Sequence, residues 1–183
     1  MAEEPRSHVL VVGGTGMLRD VVRFLAKEHD VTVVARDRAK LEALVAKAPS
    51  IYAAPVDYRK TRAFDAELGL AVKTRGPFSM AVAWIHSDAP DAPLVAAKRV
   101  QGRFFHVLGS EVADPGNPDP ERREKFMALP DLTYHEVVLG FVRGPTGSRW
   151  LTDAEIVRGV LTAVAWAKPR TVVGTVVPWS AHP

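Results

Sequence analysis

The stretch VLVVGGTGML, residues 9–18, governs the reading of the whole chain. Its apolar half, extended by His8, is a strand-sized run over residues 8–12. The glycines that follow break it, and Gly13 permits a tight turn. Beyond them Leu18, Val21, Val22 and Leu25 recur at helical spacing, which predicts a helix over residues 16–28. Strand, glycine turn and helix thus follow each other without a spacer.

The same alternation continues to the end of the sequence. Strands are predicted over residues 31–35, 51–56, 79–85, 103–109, 133–142 and 171–177. Between them lie helical patterns. Asp37 heads one that carries Leu41, Leu44, Val45 and Ala48. Phe64, Leu68, Ala71 and Val72 mark another, and a short one covers residues 94–99. Asp119 and Pro120 start a helix that stops before Pro130. Thr152 and Glu155 form a capping box for a helix ending near Trp166. Continuous apolar strands alternating with helices imply a parallel sheet covered on both faces. The expected fold class is α/β: a doubly wound, mostly parallel, seven-stranded Rossmann-like sheet with helices on both faces. No boundary interrupts the pattern, so residues 1–183 are read as one domain.

Composition agrees with this. Of 183 residues, 47% are hydrophobic and 25% charged, an ordinary globular balance. No apolar run is long enough to span a bilayer, and the polar start MAEEPRSH is not a secretory signal. The expected location is cytoplasmic, with no membrane partner. A net charge of +3 without a basic block gives no nucleic-acid signature. There is no cysteine, which excludes disulfides and thiolate chemistry. His135 and Glu136 are adjacent on a strand and face opposite ways, so no metal site is expected. The apolar residues of the last helix leave a homodimer open, although core burial accounts for most of them.

A glycine loop between a strand and a helix is where a dinucleotide pyrophosphate sits, because backbone can approach it and the helix start favours its charge. The loop residues Gly13, Gly14, Thr15, Gly16, Met17 and Leu18 are therefore cofactor-binding candidates. An acidic residue at the end of the second strand suits the ribose hydroxyls of NAD. Here Arg36 stands there instead, and its fork matches a 2′-phosphate. NADP(H) is thus preferred and NAD(H) stays open, with Asp37 read either as helix cap or as ribose partner. Trp84, at the end of the fourth strand, lies where ligands of such sheets sit.

GGTGML also resembles the GGTGxxG loop of the short-chain dehydrogenase/reductase superfamily, above all its atypical and extended branches. ARDRAKLEAL at residues 35–44, VDY at 56–58, VLGS at 107–110 and LGFV at 139–142 resemble further segments of that family in order. The resemblance implies that Asp57 and Tyr58 flank the adenine, although Asp57 also reads as a helix cap. It implies that Phe141 and Val142 touch the nicotinamide end. Where the family has a third glycine this chain has Arg19, either exposed or reaching a phosphate.

The resemblance implies an oxidoreductase acting on a small carbonyl compound or its alcohol, and it places Ser110 as the serine that ends the fifth strand. It also calls for a Tyr-x-x-x-Lys pair about a dozen residues on. Those places hold Arg122 and Arg123, and none of Tyr52, Tyr58 and Tyr134 is followed by lysine at that spacing. A catalytically silent dinucleotide sensor therefore stands as the alternative. Tyr134 and His106 read as structural. WIHSDAP, residues 84–90, occupies the crevice, where His86 is either a general acid supported by Ser110 or Asp88, or a solvated loop histidine. Arg149 and Trp150 read either as the mouth of a substrate site or, for Trp150, as a staple for the last helix.

Overall fold

A computed structural model describes residues 6–183. Met1–Pro5, most of the polar start, lie outside the described residues. The chain alternates β1 (His8–Val12), α1 (Arg19–Leu25), β2 (Asp30–Ala35), α2 (Arg38–Val45), β3 (Ile51–Pro55), α3 (Thr61–Arg75) and β4 (Phe78–Trp84). It continues with α4 (Ala92–Ala97), β5 (Val100–Leu108), α5 (Glu121–Met127) and β6 (Leu132–Leu139). A hairpin of β7 (Phe141–Gly144) and β8 (Gly147–Trp150) follows, then α6 (Asp153–Trp166) and β9 (Arg170–Val173).

Seven strands form one sheet in the order β3-β2-β1-β4-β5-β6-β9, and every neighbouring pair is parallel. The expected doubly wound α/β sheet is what the chain adopts. Two apolar layers cover it. One joins Val9, Val11 and Val137 to Leu41 of α2 and to Val21 of α1 and Val160 of α6. The other joins Leu10, Val12 and Phe104 to Phe64 of α3, Ala96 of α4 and Phe126 of α5. Alternate residues of each strand feed opposite layers, as a period of two requires.

Local chemistry sets the helix ends. The Asp37 carboxylate accepts from the Lys40 amide at 3.0 Å and starts α2. Thr152 and Glu155 form the expected capping box, and Arg149 forks onto Glu155 at 2.9 and 3.0 Å. That fork and the Thr152 amide hold the exposed Glu155 carboxyl down at about 2. Arg149 is thus committed to the cap.

Among the boundaries that differ from the expectations, three shape the site and its surroundings. The helix after the glycine loop starts at Arg19, because residues 13–18 form turns. The sixth strand ends at Leu139, and Phe141 leaves the parallel sheet to pair with Trp150 and bridge Thr175. The last strand ends at Val173, where Gly174 takes φ +75°.

Candidate functional site

The chain runs outward from β1 through β2 to β3, then returns to β4 on the other side of β1. The β1/β4 boundary is where the strand order reverses, and crevices open there beyond the carboxyl ends of strands. Two clefts lie at that edge.

The first cleft has a volume of about 610 Å³ and is lined by the glycine loop, the ends of β2 and β4, and Tyr58. Gly13 has φ +80°, and a Cβ there would lie 2.8 Å from the Trp84 carbonyl oxygen. Its amide donates to the Val34 carbonyl at 3.1 Å, which pins the loop to β2. Gly14 faces inward, and a Cβ on it would press on Val33 and Val22 at 2.7 and 2.8 Å. Gly14 thereby provides the close packing of loop, strand and helix that the sequence pattern would assign to a third glycine. Arg19, standing at that third place, is exposed.

The loop therefore leaves a run of donors without acceptors. The amides of Gly14, Thr15, Gly16, Met17 and Leu18 donate to no acceptor among the described residues. Gly16 has open space where a side chain would be. Successive free amides around an unfilled opening suit an anion that accepts from several of them at once. Backbone and space therefore fit a pyrophosphate.

At the far end of this cleft stand Arg36 and Lys40, both exposed. Asp37, between them, acts as the helix cap, and the Lys40 ammonium lies 3.9 Å from its carboxylate while lining the same opening as Arg36. Lys40 is a cleft residue that sequence reading missed. Its signal was the capped first turn of α2, which places residues four apart on one side.

Tyr58 lines the cleft, and its phenol oxygen accepts from the His86 amide at 3.5 Å. Asp57 neither lines it nor caps α3. It holds Arg59 at 2.9 Å, and this guanidinium brings the carboxyl down to about 2. Arg59 reaches on to Asp88 at 3.5 Å, so Asp88 serves the loop tie and makes no bond to His86.

The second cleft, of about 540 Å³, opens between α4 and α5 beyond β4 and β5. Trp84 and His86 line both clefts, their rings 5.5 Å apart and edge to face. His86 is exposed, and its ring has no partner among the described residues. The two clefts thus meet at one tryptophan and one free imidazole.

Several expected contacts are not gathered there. Ser110 is buried at the start of a short turn of helix, Ser110–Ala113, and lines neither cleft. No hydrogen bond joins it to His86. Phe141 is fully buried and Val142 sits on the hairpin, because the chain leaves the parallel sheet after Leu139. Leu18 turns its side chain into the core, so only its amide faces the loop. Trp150 is exposed on β8 and lines neither cleft.

His106 differs from its sequence reading. It is buried and packed, as expected, yet it also lines the second cleft. Its Nδ1 lies 2.9 Å from the Tyr134 hydroxyl. Burial first, then the Arg122 charge, lowers its pKa to about 3, while burial raises the Tyr134 phenol above its ordinary value. Burial also lowers His8, whose Nε2 lies 2.8 Å from the Thr32 hydroxyl.

These depressed histidines predict an acid-labile fold. The unfolded imidazole binds a proton below its ordinary 6.5, and the folded one refuses it down to about 3. Stability therefore falls as pH drops through that window. His106 alone removes about 1.4 kcal/mol between about pH 7.5 and 5.5. Urea unfolding at both pH values should show this loss, reduced in His106→Gln. A wild-type stability that does not change would contradict it.

No protein-family model matches the chain, and no curated protein matches it. Solved structures do. A short-chain dehydrogenase from Bacillus anthracis superposes with a TM-score of 0.67 at 13% identity, covering 93% of this chain and 96% of that one. A short-chain dehydrogenase/reductase from Brucella melitensis, described as a glucose/ribitol dehydrogenase, gives 0.67 at 13%, covering 91% and 93%. A mutant short-chain dehydrogenase/reductase from Serratia marcescens gives 0.65 at 16%, covering 92% and 96%. At these identities the likeness is one of fold.

Proposed function

We propose that the chain is a nicotinamide-dinucleotide-dependent oxidoreductase of short-chain-dehydrogenase type, preferring NADP(H) and acting on a small carbonyl compound or its alcohol. The observation that carries this reading is the row of free amides from Gly14 to Leu18 beside the open space at Gly16. That row holds the pyrophosphate. Arg36 and Lys40 meet the 2′-phosphate at one end, and Tyr58 and Trp84 pack the rings along the cleft. The cofactor, when bound, supplies the hydride chemistry.

The chain's own residues supply orientation and a proton. Trp84 and His86 stand at the junction, so a molecule in the second cleft lies beside the reactive end of one in the first. His86 is the candidate general acid, because its exposed imidazole stands where the two clefts meet and has no hydrogen-bond partner among the described residues. Ser110 contributes by shaping the turn that follows β5.

Cofactor choice is tested by calorimetric titration with NADPH and NADH. NADPH should bind at least about tenfold more tightly, and Arg36→Ala should bring the two within about threefold. Equal affinities in the wild type would contradict the phosphate role of Arg36. Turnover is tested by NADPH oxidation with a panel of carbonyl compounds. Arg122 and Arg123, standing where relatives of this fold type would carry a tyrosine, favour a second reading: a sensor that binds the dinucleotide and does not turn over. Tight NADPH binding with no oxidation across the panel would select it. Activity that survives His86→Ala would remove His86 from the acid role.

A further inference from the structure

We propose that the second cleft takes an uncharged, mainly apolar molecule bearing an oxygen acceptor, such as a ketone or aldehyde, and that the Nε2–H of His106 grips that oxygen. The proposal rests on reading this cleft as the substrate side of the site.

The floor of the cleft carries the argument. Ile85, Ala89, Pro93, Leu108 and Phe126 line it and are all buried, and His106 is the one polar side chain buried among them. His106 is 5% exposed. Its Nδ1 is taken by Tyr134, while its Nε2 has no partner among the described residues and is not sealed from the cleft. A lone polar group in an apolar floor selects a ligand that satisfies it, because leaving it unpaired is costly.

The tautomer follows from the Tyr134 hydroxyl. That hydroxyl has His106 Nδ1 as its one hydrogen-bond partner among the described residues. Burial keeps the phenol protonated, so its proton goes to Nδ1 and the imidazole proton sits on Nε2. Burial also keeps the ring neutral. The cleft therefore meets a neutral donor, which wants an acceptor atom.

Charge excludes an anionic ligand. The one cation that reaches the floor region, Arg122, is bound by the buried Glu136 at 3.4 Å and by Asp119 at 3.7 Å. Arg123 and Arg170 converge on the same Glu136. At the rim Lys125 is paired with Glu121, while Asp91, Glu111 and Asp119 add negative charge. A carboxylate would face this acidic rim without a free cation to receive it.

The test uses the full chain without dinucleotide, uniformly ¹⁵N-labelled, with acetophenone, benzoate and ethylbenzene as probes of similar shape. Imidazole ¹⁵N spectra, assigned by comparison with His106→Phe, should show His106 as the Nε2–H tautomer. Its Nε2 resonance should move with acetophenone. Ethylbenzene and benzoate should each bind at least about fivefold more weakly, and His106→Phe should lose the preference for the ketone over ethylbenzene. An Nδ1–H tautomer, an Nε2 resonance unmoved by acetophenone, benzoate binding as tightly as the ketone, or a ketone preference kept by His106→Phe would each overturn the proposal. Because no arm contains NADPH, failure of the dinucleotide reading and failure of this one are read in separate experiments.

Discussion

In Gly16→Glu, NADPH binding is expected to fall at least about 100-fold, equivalent to about 2.7 kcal/mol, while the protein stays folded. Gly16 is exposed and has no heavy atom within 4 Å of the place a Cβ would take. The new side chain therefore meets no neighbour that must move. It does enter the opening bordered by the free amides, and its carboxylate competes with the phosphates for the same donors. Glutamate thus combines bulk and charge against a pyrophosphate. Gly16→Ala, which adds only a methyl group, should weaken binding less. Calorimetry with thermal melting separates the effects. Unchanged affinity in Gly16→Glu would mean that the phosphates lie elsewhere, whereas lost affinity with a collapsed melting transition would mean that the loop was damaged.

Phe104→Ala is expected to cost about 3–5 kcal/mol of stability, the ordinary range for removing a buried phenylalanine. Phe104 is fully buried at the centre of β5. It stacks on Phe126 at 5.6 Å and on Tyr134 at 6.3 Å, and meets the edge of His106 at 5.9 Å. Small domains are stable by only about 5–15 kcal/mol, so this loss is a large share of the total. The same aromatic group supports the second cleft, since Phe126 and His106 form part of its floor. Phe104→Leu should recover much of the stability, because it refills most of the volume. Equilibrium urea unfolding tests both variants. A loss below about 1 kcal/mol for the alanine variant would contradict the tight burial of Phe104 in this cluster.

The parallel sheet was legible because strands buried on both faces must be apolar without a break. Runs such as Val9–Val12 and Val31–Ala35 say so directly, and the capping box at Thr152 and Glu155 marked a helix start by its own chemistry. The hairpin of β7 and β8 was not legible. Arg143 to Arg149 reads as polar loop, and Phe141, besides pairing with Trp150, bridges Thr175, a contact far along the chain that no local pattern marks. The early start expected for α1 failed for a related reason. Helical spacing of Leu18 and Val21 continues back into the loop, but residues 13–18 form turns, and the amides of residues 14–18 stay free.

The candidate site was legible in part. Arg36 and the glycine loop are adjacent to strand ends, so topology alone places them. Lys40 needed the capped turn at Asp37 to bring it to the same opening. His106 is the instructive miss. A strand period of two marks it as inward-facing, which reads as packing. The short helices α4 and α5 leave the sheet open above it, and no periodicity reveals that opening. Ser110, Phe141 and Val142 came from a family resemblance, and a buried turn and a hairpin move their side chains off the cleft walls.

The most direct test is an amide-resolved NMR titration of the wild-type chain with NADPH. The row of free donors predicts that the backbone amides of Gly14, Thr15, Gly16, Met17 and Leu18 shift together and more than any other group of amides. The Arg36 and Lys40 signals should follow with NADPH and far less with NADH. If saturating NADPH leaves the five loop amides in place, the loop is a turn that holds β1 to α1 and the dinucleotide reading is wrong.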